Sequence, residues 1–441
     1  YEIIKCDWSS DVCSSDLQGQ QAAADGFFDF LFSADKELII SGPGGVGKSF
    51  LMGYLIDEIM PRYEKMCSLL NQPVKYRDVH MTATTNKAAE VLAQATGRPC
   101  GTVHSFLGLK VTDDFSTGVS KLSKTNNWKV HQRIILFVDE SSMVDTTLLK
   151  YIREAMLECK VVYVGDHCQL APVKESKPPV FNQGLPMYVL TEPMRNNGQP
   201  ALMNICQQLR DTVEQGTFNP IQIVPGVIDL LDDQQMFDEL SRNFIDADFN
   251  GRILAYSNTR VLQYGDFIRK DVRHLPDEFV KGEHLINNAM FQRGKTAFSV
   301  EEEVTVMEVN STTDFYEIEH GVHLEYRLCH LCSGFAVMPD VMVPVDRDHY
   351  TNLLKWYAKQ KDWQKYYFLK NNFPDLRQRD ACTVHKSQGS TYDTTYIDLE
   401  NLSTCAQSEM GARLMYVAFT RARNRVVLYG DLTKRFGGLI S

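Results

Sequence analysis

A glycine-rich segment has the residue types and spacing of a phosphate-binding loop. Residues 42–49 are GPGGVGKS, and they stand between an apolar, strand-like segment and a helix-like one. Glycines let backbone N–H groups approach phosphate oxygens, which larger side chains would keep at a distance. Lys48 is expected to reach the β- and γ-phosphates of a nucleotide, and the Ser49 hydroxyl is expected to bind Mg²⁺. The predicted nucleotide-binding residues of this loop are Gly42, Pro43, Gly44, Gly45, Val46, Gly47, Lys48 and Ser49.

Two adjacent carboxylates, Asp139 and Glu140, follow the apolar residues 134–138. Two acids at the end of a buried strand are costly unless charge chemistry takes place there. Asp139 suits the coordination shell of Mg²⁺, and Glu140 is placed to orient and deprotonate an attacking water. Together with the loop, this pair predicts a nucleoside triphosphatase, but nothing narrower.

Three further side chains could act on the γ-phosphate. Gln169, in the segment GDHCQLAP, follows a predicted strand and could sense this group. Arg421, in YVAFTRAR, comes from the second half of the chain and would make hydrolysis depend on closure of two domains. Arg195, in LTEPMRN, is a second candidate. Taken singly, each arginine is more often a surface residue.

Strands and helices alternate around these residues, which predicts α/β domains with parallel sheets and polar residues at the carboxyl ends of the strands. Pro61 is expected to end the second helix-like segment. The predicted strands are residues 37–41, 79–82, 133–138, 160–164, 252–256, 395–399 and 425–429. The predicted helices are residues 49–60, 86–96 and 259–272.

Two segments depart from this alternation. Residues 283–345 alternate apolar and polar side chains, which predicts antiparallel strands and a small barrel. Residues 346–373 are helical and aromatic. Trp356, Trp363 and Tyr367 have the spacing of one apolar helix face, which is expected to pack against the β segment.

Taken in order, nine motifs resemble those of the superfamily 1 helicases, and within them the Dda-type helicases related to the RecD group. The likeness extends from about Gly19 to Gly430. The motifs are GPGGVGKS, TATTNKAAEVL from Thr82, TVHSFLGL from Thr102, VDESSM from Val138, GDHCQLAPV, LTEPMRN, AYSNTRV from Ala255, TVHKSQGSTYD from Thr383 and YVAFTRAR.

The resemblance implies two sets of contacts. Gln20 would read the adenine base, and the implied ATP contacts are Gln20, Lys48, Ser49, Asp139, Glu140, Gln169, Arg195, Gly389 and Arg421. The implied single-stranded DNA contacts are Thr84, Thr85, Asn86, Thr102, His104, Ser105, Phe106, Asn258, Thr383, His385, Lys386 and Gln388. Hydroxyls and amides bind phosphates without recognising sequence. His104 and Phe106 offer faces for base stacking, which contributes about 1–3 kcal/mol per base, although an isolated Phe106 would more often be a core residue.

The resemblance also implies an architecture. The fold class is α/β, with two RecA-like P-loop NTPase lobes, a pin inserted in lobe 1, and an SH3-like β-barrel with a helical arm inserted in lobe 2. Within the pin, Phe115 is the favoured strand-separating residue and Trp128 is a weaker candidate. Either side chain can instead have only a packing role. The helical arm would contact the pin and guide DNA. The implied boundaries are 18–109 and 133–195 for lobe 1, 110–132 for the pin, 196–282 and 376–441 for lobe 2, and 283–375 for the barrel and arm.

The first seventeen residues have a different character. YEIIKCDWSSDVCSSDL has neither an apolar signal-peptide core nor a helical or strand period. Translated back into nucleotides, most of it fits a common sequencing adapter. We therefore expect residues 1–17 to be non-native.

Composition sets further bounds on the 441-residue chain. Its net charge of −10 argues weakly against a nucleic-acid partner. A DNA-binding groove, however, needs only local cations such as Lys87, Arg260 and Lys386. The affinity for DNA should then depend strongly on salt. Eleven irregularly spaced cysteines favour a reduced, intracellular protein. The segment CHLC at 329–332 resembles half a zinc site without a second pair, so strand residues are expected there.

These observations predict an ATP-dependent DNA helicase that uses ATP and Mg²⁺ and moves 5′-to-3′ on single-stranded DNA. The direction of translocation is implied by the resemblance alone, because the TVHKSQG motif and the inserted β segment are those of the 5′-to-3′ branch. Superfamily 1 translocation of 3′-to-5′ polarity, a P-loop ATPase without unwinding and an idle DNA-binding module stay open as alternatives. Expected partners are single-stranded DNA and its junctions with duplex, with a single-strand-binding protein or replisome components as further candidates. We expect a functional monomer in the bacterial cytoplasm, with a viral origin also considered, and no membrane partner.

Overall fold

The computed structural model describes residues 18–172, 175, 177–191, 199–294, 296–334 and 336–440. The predicted non-native segment 1–17 and Arg195 lie outside these ranges. The chain forms two compact units, one of residues 1–110 with 124–197 and the other of residues 111–123 with 198–441. No helix in the described ranges has both the length and the apolar character that crossing a membrane requires.

A six-stranded sheet forms the centre of the first unit, and all of its strands are parallel. Every residue from Ile134 to Val138 is buried, as expected for a parallel strand covered on both faces. The predicted α/β class is confirmed. In spatial order the strands are Met187–Val189, Glu37–Ser41, Lys160–Gly165, Ile134–Asp139, Asp78–Ala83 and Cys100–Thr102.

Helices flank this sheet, and one of them corrects a prediction. The helix that begins at Lys48 continues past Pro61 to Leu69, passing through the π-helical turn Leu55–Ile59. Because that turn shifts the hydrogen-bond register, Pro61 falls at the start of a new α-helical segment, where its missing N–H removes no interior bond. The α-helices of this unit are Gln18–Phe32, Lys48–Tyr54, Met60–Leu69, Asn86–Thr96, Val103–Leu107 and Thr146–Ala155, with 3-10 turns Ser141–Met143 and Pro179–Asn182.

The second unit contains its own five-stranded parallel sheet. The aromatic side chains of Phe244, Tyr264 and Tyr396 are buried in its core. Its strands, in spatial order, are Ile228–Leu231, Ala422–Tyr429, Tyr392–Asp398, Gly251–Ala255 and Ala381–Thr383. Its α-helices are Pro200–Gln215, Asp233–Asn243, Asn258–Phe267, Leu399–Leu402 and Ser408–Thr420, with the π-helical turn Ile268–Val272 and the 3-10 turn Lys434–Phe436.

An antiparallel sheet interrupts this unit in sequence, as the alternation in residues 283–345 predicted. Its strands, in spatial order, are Ala336–Pro344, Val322–Ser333, Glu302–Glu319, His284–Asn287 and Leu376–Gln378. Phe291–Arg293 pairs with Thr296–Phe298 beside it. Cys329 to Cys332 lie within a strand, as expected. Closure of this sheet into an SH3-like barrel, and the lobe boundaries, stay predictions.

The aromatic segment forms two helices, Arg347–Gln360 and Trp363–Asn372. Lys361 ends the first with a left-handed φ of 58°, and the Asp362 carboxylate caps the second. Trp356 and Trp363 therefore belong to different helices, and the prediction of one shared face is wrong. The predicted packing on the β segment is confirmed, because the Tyr316 and Phe368 rings stack at 5.1 Å.

Candidate nucleotide and nucleic-acid sites

The phosphate-binding loop joins the strand Glu37–Ser41 to the helix that starts at Lys48. Gly45 and Gly47 have φ values of 87° and 80°, which other residues adopt only at a cost. A Cβ on Gly42 would lie 2.7 Å from the Leu190 carbonyl oxygen. These three glycines are thus required by the backbone path of the loop, which follows the end of the strand Glu37–Ser41.

Lys48 is held inside the loop. Its Nζ donates to the carbonyl oxygens of Gly42 and Pro43, at 2.9 and 2.8 Å. These bonds fix the ammonium group beside the glycines that would surround a phosphate. A phosphate bound in the loop could accept hydrogen bonds from Lys48 Nζ in place of these two carbonyl oxygens.

Asp139 and Glu140 lie at the end of the neighbouring strand, as predicted. Burial and the adjacent Glu140 raise the pKa of Asp139 to about 7, while Lys48 opposes the rise. The Glu140 N–H donates to Asp139 Oδ1 at 2.9 Å, and Glu140 has a left-handed φ of 50°, a costly conformation for this residue. A buried carboxylate beside a second one suits a divalent cation, whose charge would favour the ionised form.

The first predicted DNA-binding turn is bonded to this acid pair. Ala83 pairs with Asp139 in the sheet, so the segment that starts at Thr84 begins beside Glu140. The nearly buried Thr84 hydroxyl donates to the Glu140 carbonyl oxygen at 3.3 Å. Thr85 caps the helix Asn86–Thr96. The structure thus brings residues from the two predicted sites into direct contact.

Gln169 lies in the segment after the strand Lys160–Gly165. Its side chain is only 4% exposed, and its N–H donates to the Asp166 carbonyl oxygen at 3.1 Å. The His167 Nδ1 and Ser41 Oγ atoms are 2.8 Å apart, so this segment is tied to the residue directly before the phosphate loop. The arrangement keeps Gln169 at the same edge of the sheet as the loop.

Gln20 combines burial with an unused acceptor. Its side chain is 2% exposed, and its Nε2 donates to the Val46 carbonyl oxygen in the phosphate loop at 3.0 Å. The buried Oε1 has no hydrogen-bond partner among the described residues. A buried amide that offers one acceptor beside the loop fits the exocyclic amino group of adenine.

The second predicted DNA-binding segment surrounds the short helix Val103–Leu107. Thr102 Oγ1 accepts a bond from the Ser105 N–H, so this hydroxyl serves as a helix cap. One face of Phe106 stacks on His131, with ring centroids 4.5 Å apart, and His80 lies 5.0 Å away. Sequence reasoning missed both histidines, because neither falls in a recognised motif. Base stacking on Phe106 therefore requires a face that these rings leave accessible.

Burial lowers the pKa of His104, which favours its neutral form. Burial also lowers the pKa of His131, with His80 and Lys129 adding to the effect, so the stacked ring is favoured neutral near pH 7. Phe106 also borders a cavity of about 750 Å³. Arg77 and Arg98 line it, and the sequence patterns did not single out either residue.

In the second unit, the predicted DNA-binding residues after the strand Ala381–Thr383 form a compact turn. The Lys386 N–H donates to the Thr383 carbonyl oxygen at 2.9 Å. Lys386 Nζ contacts Asn288 Oδ1 and Glu301 Oε1, so this cation is already paired. His385 lies beside Tyr256, and burial lowers its pKa. Gln388 lies within the same turn.

Arg421 is buried at the end of the helix Ser408–Thr420. Its guanidinium donates to Val417 O, Ser390 O and Thr420 Oγ1, at 3.1 to 3.2 Å. Ser390 follows Gly389, whose φ of 77° fits a glycine. The structure thus brings together these two predicted ATP contacts of the second unit, Gly389 and Arg421.

The predicted pin contains a two-stranded sheet, Leu109–Asp114 with Val119–Lys124. Phe115, in the turn, is 54% exposed, and its ring lies 5.0 Å from that of Tyr367. A Cβ on Gly118 would overlap the Trp363 ring. Trp128 packs elsewhere, edge-on to Tyr151, beneath the Lys124 ammonium. This contact agrees with the alternative that Trp128 has only a packing role. The role of Phe115 in strand separation stays a prediction.

Comparison with known proteins gives two family matches and several relatives. The family model described as an AAA domain matches residues 17–222, and the UvrD-like helicase C-terminal domain matches residues 380–429. The ATP-dependent DNA helicase dda of Enterobacteria phage T4 is 24% identical over 453 residues, covering 92% of this chain and 97% of that protein. By these matches, the chain is similar to the Dda-type superfamily 1 helicases.

Other relatives are more distant. An uncharacterized protein of Acanthamoeba polyphaga mimivirus is 20% identical, over 92% of this chain and 98% of that protein. Among solved structures, Pif1 helicase from Bacteroides in complex with ADP-AlF3 and ssDNA has a TM-score of 0.48 at 14% identity, covering 95% of this chain and 94% of that one. Pif1 helicase from Candida albicans has a TM-score of 0.45 at 16% identity, covering 98% of this chain and 97% of that one.

Proposed function

We propose that this helicase-family chain is an ATP-dependent DNA helicase that couples hydrolysis of ATP to 5′-to-3′ movement on single-stranded DNA and to separation of duplex. The observation that carries the proposal is the hydrogen bond from Thr84 to the Glu140 carbonyl oxygen. It joins a predicted DNA-binding turn to the predicted catalytic acid. A nucleotide switch that does not use DNA would have no need of such a link.

In this proposal, Lys48 leaves the two loop carbonyls and binds the β- and γ-phosphates. Glu140 accepts a proton from the attacking water. Ser49 and Asp139 provide oxygen ligands of the kind Mg²⁺ prefers, and the cation would neutralise phosphate charge during transfer. Binding of the cation also favours ionisation of Asp139, whose pKa is raised in this structure.

Base recognition is assigned to Gln20. Its unused Oε1 would accept a hydrogen bond from the adenine amino group, while its Nε2 exchanges the Val46 carbonyl oxygen for a ring nitrogen. Guanine presents a carbonyl oxygen in place of that amino group, which would face Oε1 unfavourably. The proposed preference is therefore for ATP over GTP.

Gln169, Arg195 and Arg421 are proposed to contact the γ-phosphate, on the strength of the motif resemblance. Such arginine contacts stabilise charge in the transition state of phosphoryl transfer. Hydrolysis would remove these arginine contacts, and the resulting change between two states of the protein would alter its affinity for DNA, as a motor requires. Arg195 lies outside the described residues, so its assignment depends on the LTEPMRN motif alone.

The proposed DNA track uses hydroxyl, amide and imidazole groups, which hold the backbone without selecting sequence. Single-stranded DNA and its junctions with duplex are the proposed partners, and a functional monomer is proposed. Association with a single-strand-binding protein or replisome components, and a place in the bacterial cytoplasm, are proposals prompted by the phage relative.

The decisive experiment measures unwinding of duplexes that carry a single-stranded tail at only the 5′ or only the 3′ end. We expect ATP-dependent unwinding with the 5′ tail and little with the 3′ tail. Lys48→Ala provides the control, because it should abolish hydrolysis while single-stranded DNA binding persists. The opposite tail preference would overturn the polarity, and hydrolysis that DNA does not stimulate would overturn the helicase assignment.

A further inference from the structure

The predicted DNA-binding residue Lys386 is neutralised inside its own unit. Its Nζ contacts Glu301 Oε1, and Glu301 comes from the turn before the strand Glu302–Glu319. Both side chains are about 30% exposed, 29% for Lys386 and 30% for Glu301. The ion pair can therefore be reached from solvent and exchanged for another anion.

Glu301 has a backbone conformation that few glutamates adopt. Its φ is 63°, in the left-handed region that glycine and asparagine favour. Its N–H donates to the Asn287 carbonyl oxygen at 2.8 Å, which fixes the turn. From this turn the Glu301 carboxylate reaches Lys386, its described ion-pair partner.

Asn288 connects this pair to a second one. Its Oδ1 accepts from Lys386, while its Nδ2 donates to Asp375. Asp375 pairs with the Arg377 guanidinium, at 3.2 and 3.3 Å. Arg377 also donates to Oδ1 of Asn258, another predicted DNA contact, at 3.2 Å. Two cations, Lys386 and Arg377, and a further predicted DNA-binding side chain, Asn258, thus belong to one network.

We propose that Glu301 and Asp375 occupy phosphate positions on Lys386 and Arg377, and that the DNA backbone displaces them when it binds. The inference deepens the proposed function and depends on it. Lys386 and Arg377 then form one phosphate-binding pair bridged by Asn288, and Arg377 is a DNA contact outside the predicted set. Each carboxylate returns to its cation when a phosphate leaves, which lowers the affinity and aids release.

The exchange predicts an unusual effect of removing a charge near DNA. Glu301→Gln frees Lys386 without altering the size of the side chain. Single-stranded DNA should therefore bind about three- to fivefold tighter, because an exposed ion pair no longer competes. The slope of log affinity against log salt should become steeper by as much as about 0.7, the contribution of one phosphate contact in a single strand.

Glu302→Gln is the matched control. It removes the same charge from the neighbouring residue, whose carboxylate accepts from the Ser299 N–H at 2.6 Å. Lys386→Gln combined with Glu301→Gln tests the mechanism, since the gain should vanish without the lysine. If Glu301→Gln fails to fold, Glu301→Gly removes the same carboxylate and suits the left-handed backbone.

The measurement is fluorescence anisotropy of a labelled oligothymidylate with nucleotide-free protein, between about 50 and 200 mM salt. A gain specific to Glu301→Gln that disappears in the double variant supports the exchange. A Glu301→Gln affinity no higher than that of Glu302→Gln, or a gain that persists without Lys386, overturns it and leaves the helicase assignment standing. Failure of the wild-type protein to bind the oligonucleotide would instead overturn the proposed function.

Discussion

The Thr84 hydroxyl lies 3.3 Å from the Glu140 carbonyl oxygen and donates a hydrogen bond to it. Glu140 has a left-handed backbone, so its side-chain direction depends on contacts that hold the main chain in a costly conformation. A shift of the Thr84 turn on DNA binding would be passed to Glu140 through this bond. The two residues thus offer a short physical route from the proposed DNA contact to the proposed catalytic acid.

Thr84→Val should lower kcat of DNA-stimulated ATP hydrolysis by about fivefold, the effect of losing about 1 kcal/mol from one hydrogen bond. Valine keeps the shape of threonine but cannot donate. Steady-state kinetics over a range of single-stranded DNA concentrations provide the measurement. Thr84→Ser retains the hydroxyl and should preserve most of the stimulation. Equal losses in both variants would show that the side chain acts through packing.

Glu140→Gln should bind ATP but hydrolyse it very slowly, because an amide cannot take a proton from the attacking water. The loss of kcat should be about 100-fold or more. Filter binding of radiolabelled ATP, followed by a single-turnover chase, would detect the trapped nucleotide. Near-normal turnover would exclude Glu140 as the residue that activates water.

Gln20→Ala should raise KM for ATP by about tenfold, through loss of a buried hydrogen-bond pair to the base. KM for GTP should change little, because Gln20 is not expected to favour guanine. Gln21→Ala is the matched control, since the exposed Gln21 amide donates to the Asp25 carboxylate on the same helix. A parallel rise for both nucleotides in Gln20→Ala would indicate a structural effect on the phosphate loop.

Lys160 should give the first unit a pH-dependent stability. The side chain is 1% exposed, Nζ donates to the Ser33 carbonyl oxygen at 3.0 Å, and burial lowers the pKa of this lysine to about 8. The unfolded chain binds this proton up to about pH 10.5, so the charged form is disfavoured by folding. The resulting destabilisation is complete below pH 8 and vanishes above about pH 10.5.

Stability measured by urea unfolding should therefore rise between pH 8 and 10 relative to Lys160→Met, by about 1 kcal/mol per pH unit at most. The difference between the two proteins removes the contributions of other titrating groups. A difference that stays constant across this range would contradict the lowered pKa.

Local patterns predicted the elements that carry the nucleotide chemistry. The strand Glu37–Ser41 and the helix Asn86–Thr96 have the bounds expected from sequence, because apolar runs and caps are encoded within a few residues. The prediction that the helix ends at Pro61 is wrong. The π-helical turn Leu55–Ile59 comes just before it, so Pro61 stands in the first turn of the next α-helical segment, where its missing N–H breaks no hydrogen bond. The π-helical turn leaves no signal in the sequence.

Long-range partners could not be predicted. Phe106 was expected to stack on bases, and its contacts with His80 and His131 follow from the pairing of distant segments. The pairing of Lys386 with Glu301 spans 85 residues, and no spacing rule connects them. Motifs therefore gave the candidate site residues, whereas the charges that restrain those residues depend on tertiary contacts.

The absence of a side chain at Gly118 has a mechanical consequence. Because the Trp363 indole lies where a Cβ would stand, and Phe115 meets Tyr367 beside it, the apex of the two-stranded ribbon is braced at two points. Load applied at that apex is shared with the helix Trp363–Asn372 and, through Phe368 and Tyr316, with the antiparallel sheet. A ribbon tip packed in this way resists bending, and the packing here depends on the smallest residue in the turn.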